Sequence, residues 1–250
     1  LRAADPAHQW DSAGNASEIM KPDNIDNLIE SPDWSLSPRE AVKLQARLAP
    51  TVAECPLPDA VRLVAGLDLA FTSDKRSCIA GVVLWDVLDE RVVDQHLALT
   101  PVTFPYVPGL LSFREIPALL TVLKKLGNMP DVLMCDGQGV AHPRRFGLAS
   151  HLGVLLDMPT IGCAKSRLIG THDEPGLAKG DSVPLFDKEE TIGRVLRTRD
   201  SVKPLYISIG HKADIESACH LVLDCTIRYR LPEPTRLADR LVASARRNHG

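Results

Sequence analysis

Residues 132–139 constrain the fold more than any other stretch of the sequence. Four apolar residues, Val132–Cys135, follow one another without alternation, which indicates a short strand that is buried on both faces. Asp136 ends this strand, and Gly137 and Gly139 let the chain turn sharply and approach a ligand. In open α/β sheets, ligands bind beyond the carboxyl ends of the strands. Asp136 is therefore a candidate ligand-binding carboxylate, although an Asp at this point can also simply cap the next helix.

The order of the predicted elements indicates the class of fold. Three strand-like runs joined by short polar connectors come first, and they predict an antiparallel meander. Helices and short apolar strands then alternate, which is typical of parallel strands covered by helices. We therefore expect an α/β fold with a ribonuclease H-like mixed sheet, in which three antiparallel strands are followed by parallel strands and helices flank the sheet. The predicted strands are 62–71, 78–87, 91–102, 132–135, 160–164, 195–197 and 205–209, the main helices are 114–126, 145–156, 214–227 and 236–246, and 170–190 is a predicted loop.

The composition is that of an ordinary globular protein. The chain has 250 residues, of which 44% are hydrophobic and 24% charged, and its net charge is −3. No apolar run approaches the ~18 residues of a transmembrane helix, and no secretory signal is recognisable at the start. The six cysteines form no CxxC pair and mostly lie in apolar runs, so neither disulfides nor a zinc site is expected. These features predict a cytoplasmic protein without membrane contact.

The first part of the chain differs in composition from the rest. Residues 1–40 hold eight Asp or Glu against three Lys or Arg, and they show no hydrophobic period. Such a stretch buries too little apolar surface to fold alone, so we predict a flexible acidic extension over residues 1–36. Ser37 and Glu40 have the spacing of a helix capping box, with Pro38 in the first turn. Residues 37–250 are expected to form a single ribonuclease H-like domain.

Three acidic residues are candidates for a metal site. Asp68 lies within an apolar predicted strand, where a charge is costly unless it is paired or bound to a metal. If that strand neighbours the one that ends at Asp136, the two carboxylates face each other at one edge of the sheet. Converging carboxylates repel unless a hard divalent cation lies between them, and Mg²⁺ prefers such oxygen ligands. Glu115 is a third candidate, although the helix dipole alone also favours an acid at the start of a helix.

Lys165 and His211 each follow a predicted strand. Lys165 is a candidate for holding a phosphate, and His211 for binding a metal or moving a proton. A solvated lysine and a structural histidine are the alternatives for the two positions. No other catalytic motif competes with this set, because the sequence contains no GxGxxG, P-loop, GxSxG or HExxH pattern.

Five motifs agree in order and spacing with one known family. They are PYVPGLLSFRE at 105–115, DGQGVAHPRRFG at 136–147, GCAKS at 162–166, GHK at 210–212 and YRLPEPTR at 229–236. Together they resemble endonuclease V, the nuclease family that nicks strands containing deaminated adenine. The resemblance extends from about residue 39 to about residue 243. Gln138 departs from it, because many relatives have His at this position, and Glu216 stands where some relatives have Asp.

The resemblance implies a fold and a catalytic set. The family has a ribonuclease H-like core, in agreement with the order of the strands. Asp68, Glu115 and Asp136 match its metal-binding carboxylates, and Lys165 and His211 match further active-site positions. The implied cofactor is Mg²⁺, for which Mn²⁺ can substitute.

The resemblance also implies how nucleic acid is bound. Tyr106, within the run Pro105, Tyr106, Val107 and Pro108, matches the wedge that enters the helix beside the lesion. Prolines stiffen such a wedge, and a flat aromatic fills the space that a base has left. A flipped-out hypoxanthine is accepted in a pocket made largely of backbone groups. The positions that match this pocket are Gly109, Leu111, Gly137 and Gly139, and further candidates for phosphate contacts are His142, Arg144 and Arg145.

The implied activity is hydrolysis of the second phosphodiester bond 3′ of inosine, which leaves a 3′-hydroxyl and a 5′-phosphate, as a step of DNA repair by a monomeric enzyme. Three alternatives stay open. The enzyme can prefer inosine in RNA, because the motifs do not separate the two sugars. A damage-binding protein that does not cut, or a ribonuclease H-type enzyme that cuts undamaged hybrids, is the alternative from a different class.

Overall fold

The computed structural model describes residue 20 and residues 22–248 of the chain. In this part of the chain the strands are β1 (Leu63–Phe71), β2 (Ser77–Asp86), β3 (Arg91–Pro101), β4 (Val132–Cys135), β5 (Thr160–Ala164), β6 (Ser182–Asp187), β7 (Glu190–Leu196) and β8 (Leu205–His211). The helices are α1 (Pro22–Ile29), α2 (Pro38–Leu48), α3 (Leu111–Leu123), α4 (Leu148–Leu156), α5 (Ile215–Asp224) and α6 (Glu233–Asn248), with 3₁₀ turns at Pro32–Ser35 and Ala49–Thr51. None of these helices combines the length and the apolar composition that crossing a bilayer requires.

All of these strands belong to one mixed sheet. Their spatial order is β3-β2-β1-β4-β5-β8-β7-β6. β1, β2 and β3 pair antiparallel, while β4 pairs parallel with both β1 and β5. The predicted mixed sheet, with an antiparallel meander followed by parallel strands and flanking helices, is confirmed. β4 is central and its four residues are all buried, which explains why the run Val132–Cys135 lacks alternation.

The last three strands differ from the predicted loop over residues 170–190. β6 and β7 form an antiparallel hairpin, and β8 pairs antiparallel with both β7 and β5. Because β6 lies at the edge of the sheet, it tolerates Pro184, whose missing N–H argues against a central strand. The loop prediction is therefore wrong for residues 182–190. The antiparallel pairing also means that β8 runs opposite to β4 and β5.

The segment before α2 packs on the domain. Ile25 of α1 and Trp34 of the first 3₁₀ turn are buried in the core, next to α3. The indole Nε1 of Trp34 donates a hydrogen bond to the carbonyl of Leu28 over 2.7 Å. Residues 22–35 are thus not the flexible extension that the composition predicts, because two large apolar side chains suffice to dock them. Residues 1–19 and 21 of that extension lie outside the described residues, and a domain boundary at residue 36 stays a prediction.

Helices cover both faces of the sheet, and α6 makes the closest approach. α3 and α4 pack on one face, and α5 and α6 pack on the other. α6 lies directly on β1 at Gly66, where a Cβ atom would be only 2.1 Å from the carbonyl carbon of Pro234. A Cβ on Gly81 of β2 would likewise be 2.6 Å from a methyl group of Val242. The two glycines therefore bring α6 against the strand that carries Asp68.

Gly66→Ala is expected to lower the free energy of unfolding by about 1–3 kcal/mol, the usual cost of overpacking a core. The added methyl group must displace the backbone at Pro234 and push α6 away from β1. Urea unfolding followed by circular dichroism measures the effect. Gly127→Ala is the matched control, because a Cβ there meets only Asp94 Oδ2, at 3.9 Å. Equal free energies of unfolding for the two variants would contradict this account of the helix packing.

Candidate active site

The parallel pairing of β1 and β4 brings two carboxylates together. Leu67 of β1 is in register with Cys135 of β4, so the residues that follow them, Asp68 and Asp136, are neighbours at the level where β4 ends. The amide of Asp136 donates a hydrogen bond to the carbonyl of Leu67 over 3.2 Å. Because neighbouring strands are about 4.8 Å apart, the two side chains lie within electrostatic reach of each other.

Glu115 approaches the same place from the second turn of α3, and only 6% of its surface is exposed. Burial, together with the charges of Asp68 and Asp136, raises the pKa of Glu115 to about 8. Burial and the charge of Asp136 likewise raise the pKa of Asp68 to about 7. The three carboxylates therefore share one site, and each feels the charge of the others.

The ammonium group of Lys165 lies among these carboxylates. Lys165 is the residue after β5. Because β5 runs parallel to β4, Lys165 lies at the same end of these two strands as Asp136. Its Nζ is 2.6 Å from Asp136 Oδ2 and 3.5 Å from Asp239 Oδ2. Burial lowers the pKa of Lys165, but the hydrogen bond and charge of Asp136 outweigh it, so the pKa is raised overall. This ammonium supplies the positive charge that the acidic cluster needs.

Asp239 on α6 is a fourth carboxylate beside Lys165 at this end of the strands, and no sequence motif identified it. Besides its contact with Lys165, its charge contributes to the raised pKa of Asp68. The residue lies one helical turn before Ala243, next to the face of α6 that packs on the sheet. The only indication of Asp239 in the sequence is that an acid lies beside the apolar stripe of an arginine-rich helix. This pattern does not indicate an active-site residue unless the position of the helix on β1 is known.

The donor set fits a hard divalent cation. All four side chains offer carboxylate oxygens, which Mg²⁺ and Mn²⁺ prefer over nitrogen and sulfur. Within residues 22–248, no group of three or more His, Cys, Asp or Glu side chains is arranged closely enough to hold a metal ion as it stands. Asp136 and Asp239 contact the Lys165 ammonium instead. Burial, and then the charges of the neighbouring acids, raise the pKa values of Asp68 and Glu115. A cation between them removes the remaining repulsion and displaces their protons.

A cleft of about 510 Å³ opens beside the carboxylates, between the segment before α3 and the loop after β4. We call it the loop-side cleft. Tyr106, which is 71% exposed, stands at its rim, and Asp68, Glu115 and Asp136 line it. The other predicted site residues that line it are Val107, Pro108, Gly109, Leu111, Gly137, His142 and Lys165. Lining residues without a predicted role include Gln45, Ser112, Gln138, Gly147 and Leu168.

Buried polar groups hold the turn that carries Tyr106. Gly109 has a φ of +78°, a left-handed conformation that favours glycine. Its carbonyl accepts hydrogen bonds from Gln45 Nε2, at 3.1 Å, and from the guanidinium of Arg144. Gln45 Oε1 in turn accepts a hydrogen bond from Arg144 Nε. This network fixes the aromatic segment against α2 and against the loop after β4, so Tyr106 projects from a rigid base.

The predicted phosphate contacts of His142, Arg144 and Arg145 are not supported by their positions. His142 is 4% exposed, and burial lowers its pKa to about 4, so it is neutral at physiological pH. The guanidinium of Arg144 serves the turn described above. Arg145 forms ion pairs of 2.8 Å with two acids of the β6–β7 hairpin, Asp187 and Glu190. The partners of these basic side chains are distant in sequence, so the motif alone does not reveal that they are already bound.

Gly139 does not line the loop-side cleft, in contrast to the prediction, and Pro105 of the predicted wedge run does not line it either. Pro105 is an exposed neighbour of Tyr106. The amide of Gly139 donates a hydrogen bond to Ser208 Oγ over 2.8 Å, and a Cβ at this position would lie 1.8 Å from the carbonyl oxygen of Ile209. The absence of a side chain at Gly139 therefore serves the close packing of this loop on β8, and not the binding of a ligand.

The catalytic role predicted for His211 is not supported by the fold. β8 is antiparallel to β5, and His211 pairs with Thr160, the first residue of β5. Lys165 follows the last residue of β5, so the two residues lie at opposite ends of this strand, about 16 Å apart along it at ~3.3 Å per residue. The His211 ring accepts a hydrogen bond from the amide of Ala53 at 3.1 Å and lies 3.3 Å from Asp157 Oδ1. Burial lowers its pKa below the usual value, as is typical of a structural histidine.

Comparison with known proteins agrees with this geometry. A family model for endonuclease V matches residues 46–240. An endonuclease V from Nostoc punctiforme is 50% identical over 212 residues, which is 84% of this chain and 96% of that protein. The chain belongs to the endonuclease V family. It is thus a nuclease, and the family is one of metal-dependent nucleases.

Solved structures of the family share the fold of the chain. The crystal structure of endonuclease V from Streptomyces avermitilis superposes with a TM-score of 0.83 at 43% identity, over 86% of this chain and 95% of that one. Endonuclease V from Ciona intestinalis superposes with a TM-score of 0.74 at 28% identity, over 84% of this chain and 98% of that one. The Ciona protein was solved in complex with a 24mer DNA that contains an inosine followed by a ribo-adenosine.

Gln138 lines the cleft and departs from the family resemblance, and its side chain has a structural partner. Its Nε2 donates a hydrogen bond to the carbonyl of Ser166 over 3.0 Å. Only 8% of the residue is exposed. The side chain therefore joins the loop after β4 to the loop after β5, which carries Lys165, and it needs no catalytic function to be retained.

Glu115→Gln is expected to flatten the pH dependence of stability in the absence of divalent metal. The pKa of about 8 in the folded protein lies above the ordinary 4.5, so between these values the folded state keeps a proton that the unfolded state has lost. Stability therefore falls as the pH rises towards 8, by up to about 1.4 kcal/mol per pH unit for each such group. Urea unfolding in chelator between pH 7 and 8 measures the slope, and the comparison of the variant with the parent protein isolates the contribution of Glu115.

The matched control for this experiment is Glu54→Gln, which removes an exposed acid outside the clefts. We expect this variant to keep the slope of the parent protein. A slope that is unchanged in Glu115→Gln would mean that the carboxylate is not the buried, repelled group described here.

Proposed function

We propose that the protein is a Mg²⁺-dependent endonuclease that recognises deaminated adenine in DNA, as inosine, and hydrolyses the second phosphodiester bond 3′ of it. The products are a 3′-hydroxyl and a 5′-phosphate, and the reaction begins DNA repair. The observation that carries this proposal is that Asp68, Glu115 and Asp136 lie together where the central strand β4 ends. A cleft with an exposed aromatic at its rim opens beside them. The predicted monomeric state and cytoplasmic location stay predictions.

The loop-side cleft has the size and lining of a base-binding pocket. Its volume of about 510 Å³ falls in the range of small-molecule sites, which bind through apolar walls and a few placed polar groups. Leu111 and Leu148 supply apolar surface, while Gly109 and Gly137 expose backbone. Hypoxanthine differs from adenine by a carbonyl and an N1–H, which backbone donors and acceptors can distinguish. The inosine-containing DNA bound to the Ciona relative supports the same class of ligand.

Tyr106 is the candidate wedge. It is 71% exposed although it is a large aromatic, and the buried network around Gly109 holds its segment rigid. A rigid aromatic that projects into a duplex can occupy the stack that the flipped base has left. The lesion is mispaired, so extracting it costs less than extracting a normal base.

The carboxylates and Lys165 have separate tasks in the proposed reaction. Asp68, Glu115 and Asp136 would hold the cation, with Asp239 close enough to assist through its charge. When bound, Mg²⁺ or Mn²⁺ supplies Lewis-acid activation of water and neutralises charge on the leaving oxygen. Lys165 then no longer has to compensate Asp136 and is free to contact a phosphate oxygen at the cleaved bond.

The experiment that tests the proposal is cleavage mapping on labelled oligonucleotides. Single- and double-stranded DNA and RNA, each with one inosine, are incubated with Mg²⁺ or with chelator, and the cut is located by gel electrophoresis. We expect a single cut at the second bond 3′ of inosine in DNA, in Mg²⁺ only. A cut in RNA alone would change the substrate to inosine-containing RNA, and binding without any cut would indicate a damage-binding protein. Equal cutting of undamaged RNA–DNA hybrids would indicate a ribonuclease H-type activity.

Asp136→Asn is expected to lower kcat by at least about a thousandfold while the Kd for an inosine-containing strand changes by less than about threefold. The amide cannot hold the cation in the same way, but the base pocket and the wedge are intact. Asp89→Asn is the matched control, because Asp89 pairs with Arg62 beyond the opposite end of β1. Normal turnover by the Asp136 variant in Mg²⁺ would overturn the assignment of the metal site.

His211→Asn is expected to retain cleavage within about twofold and to lower the free energy of unfolding by about 1–3 kcal/mol, because it disrupts buried hydrogen bonds to Ala53 and Asp157. Single-turnover kinetics and urea unfolding give the two quantities. A hundredfold loss of kcat at unchanged stability would restore the catalytic role that the sequence predicts for His211.

A further inference from the structure

A second cleft opens on the other side of the same carboxylates. It has a volume of about 620 Å³ and lies between the end of β1 and α6. We call it the helix-side cleft. Asp68, Asp136 and Lys165 line both clefts, so the acidic cluster forms the boundary between them. The lining residues from α6 are Asp239, Val242, Ala243, Arg246 and Arg247.

Arg246 and Arg247 bring two positive charges to the helix-side cleft. Both are exposed residues in the last turn of α6, and among the residues that the structure describes neither has a hydrogen bond or an ion pair. The dipole of α6 favours cations at its end. It does not account for two unpaired guanidinium groups lining the same cleft as three carboxylates. Arg62 and Arg145, in contrast, are paired with acids.

The spacing along α6 matches a nucleic-acid backbone. Asp239 lies beside the carboxylate cluster, and Arg246 follows seven residues later. Seven residues of α-helix span about 10 Å at ~1.5 Å per residue. The phosphates of one DNA strand are separated by about 3.4 Å along the helix axis. The arginines are therefore about three phosphates beyond the acidic cluster, or fewer on an extended single strand.

We propose that the helix-side cleft binds the phosphates of the DNA strand on the 3′ side of the cleaved bond, with Arg246 and Arg247 as the ligands. The inference rests on the proposed function, in which the base enters the loop-side cleft and the cut lies 3′ of it. A strand that passes from the loop-side cleft across the carboxylates enters the helix-side cleft with its 3′ part. Arginine binds phosphate with several parallel N–H donors, and its charge offsets the repulsion from the nearby carboxylates.

The double variant Arg246→Gln/Arg247→Gln tests this subsite by affinity. Two labelled single-stranded DNA oligonucleotides carry one deoxyinosine and the same 5′ arm. One ends a single nucleotide 3′ of the inosine, and the other extends about ten nucleotides further, within the range of single-strand site sizes. Fluorescence anisotropy gives each Kd with Ca²⁺ in place of Mg²⁺, and a gel verifies that the strands are intact.

The parent protein should bind the longer strand more tightly, and the variant should lose this advantage. We expect the Kd for the longer strand to rise about fivefold to tenfold, and the Kd for the shorter strand to stay within about twofold. The salt dependence of log Kd on the longer strand should also weaken, by about 1.4 for two phosphates at ~0.7 each.

Arg240→Gln is the matched control, because Arg240 is an exposed arginine of the same helix that lines neither cleft. It should leave both Kd values unchanged, and thermal unfolding should show that all variants are folded. Equal losses on the two strands, no loss on the longer strand, or the same loss in Arg240→Gln would each overturn the subsite. If the parent protein fails to cut inosine-containing strands in Mg²⁺, the proposed function fails, while the comparison of the two strands still decides whether the arginines bind the 3′ phosphates.

Discussion

The repulsion between carboxylates on neighbouring strands is the constraint on which the rest of the site depends. Asp68 and Asp136 are adjacent because β1 and β4 pair in parallel, and Glu115 is pressed against them from α3. Burial, and after it the charges of the neighbouring acids, raise the pKa values of Asp68 and Glu115. Burial of the surrounding apolar residues of β1, β4 and α3 offsets the cost of this arrangement, so the fold holds acids where they would not remain by themselves. A site assembled in this way has a built-in affinity for cations.

Strand direction decides which strand-end residues belong to the site. The sequence predicted that Asp136, Lys165 and His211 each follow a strand; Asp136 and Lys165 do, while His211 is the last residue of β8. It could not predict that β8 is antiparallel to β5, because direction depends on partners that are far away in the chain. Lys165 therefore joins the carboxylates and His211 does not. The same limit explains why the hairpin of β6 and β7 was predicted as a loop: its edge position, which tolerates Pro184, is a property of the whole sheet.

Local motifs also hide which groups are already bound within the protein. Asp68 was a candidate from the sequence alone, because a charge within an apolar strand is costly unless it is paired or bound to a metal. The wedge role of Tyr106 came from the family resemblance. Arg144 and Arg145 looked equally available, but a backbone carbonyl and two acids of the hairpin hold them. Asp239 was missed for the converse reason: its meaning comes from the contact of α6 with β1 at Gly66, and a missing Cβ leaves no chemical signature in a sequence.

The position of the carboxylates between two clefts separates recognition from chemistry. In the proposed function, the loop-side cleft selects the base, and it is rigid because Gln45 and Arg144 hold the turn at Gly109. In the proposed function the cation site lies at the boundary of this cleft, so the strand that delivers the base to the cleft brings a neighbouring phosphate to the acids. The proposed cut 3′ of the lesion uses such a neighbouring phosphate. In this arrangement the strand continues beyond the acids, where the positive charges of Arg246 and Arg247 would stabilise it.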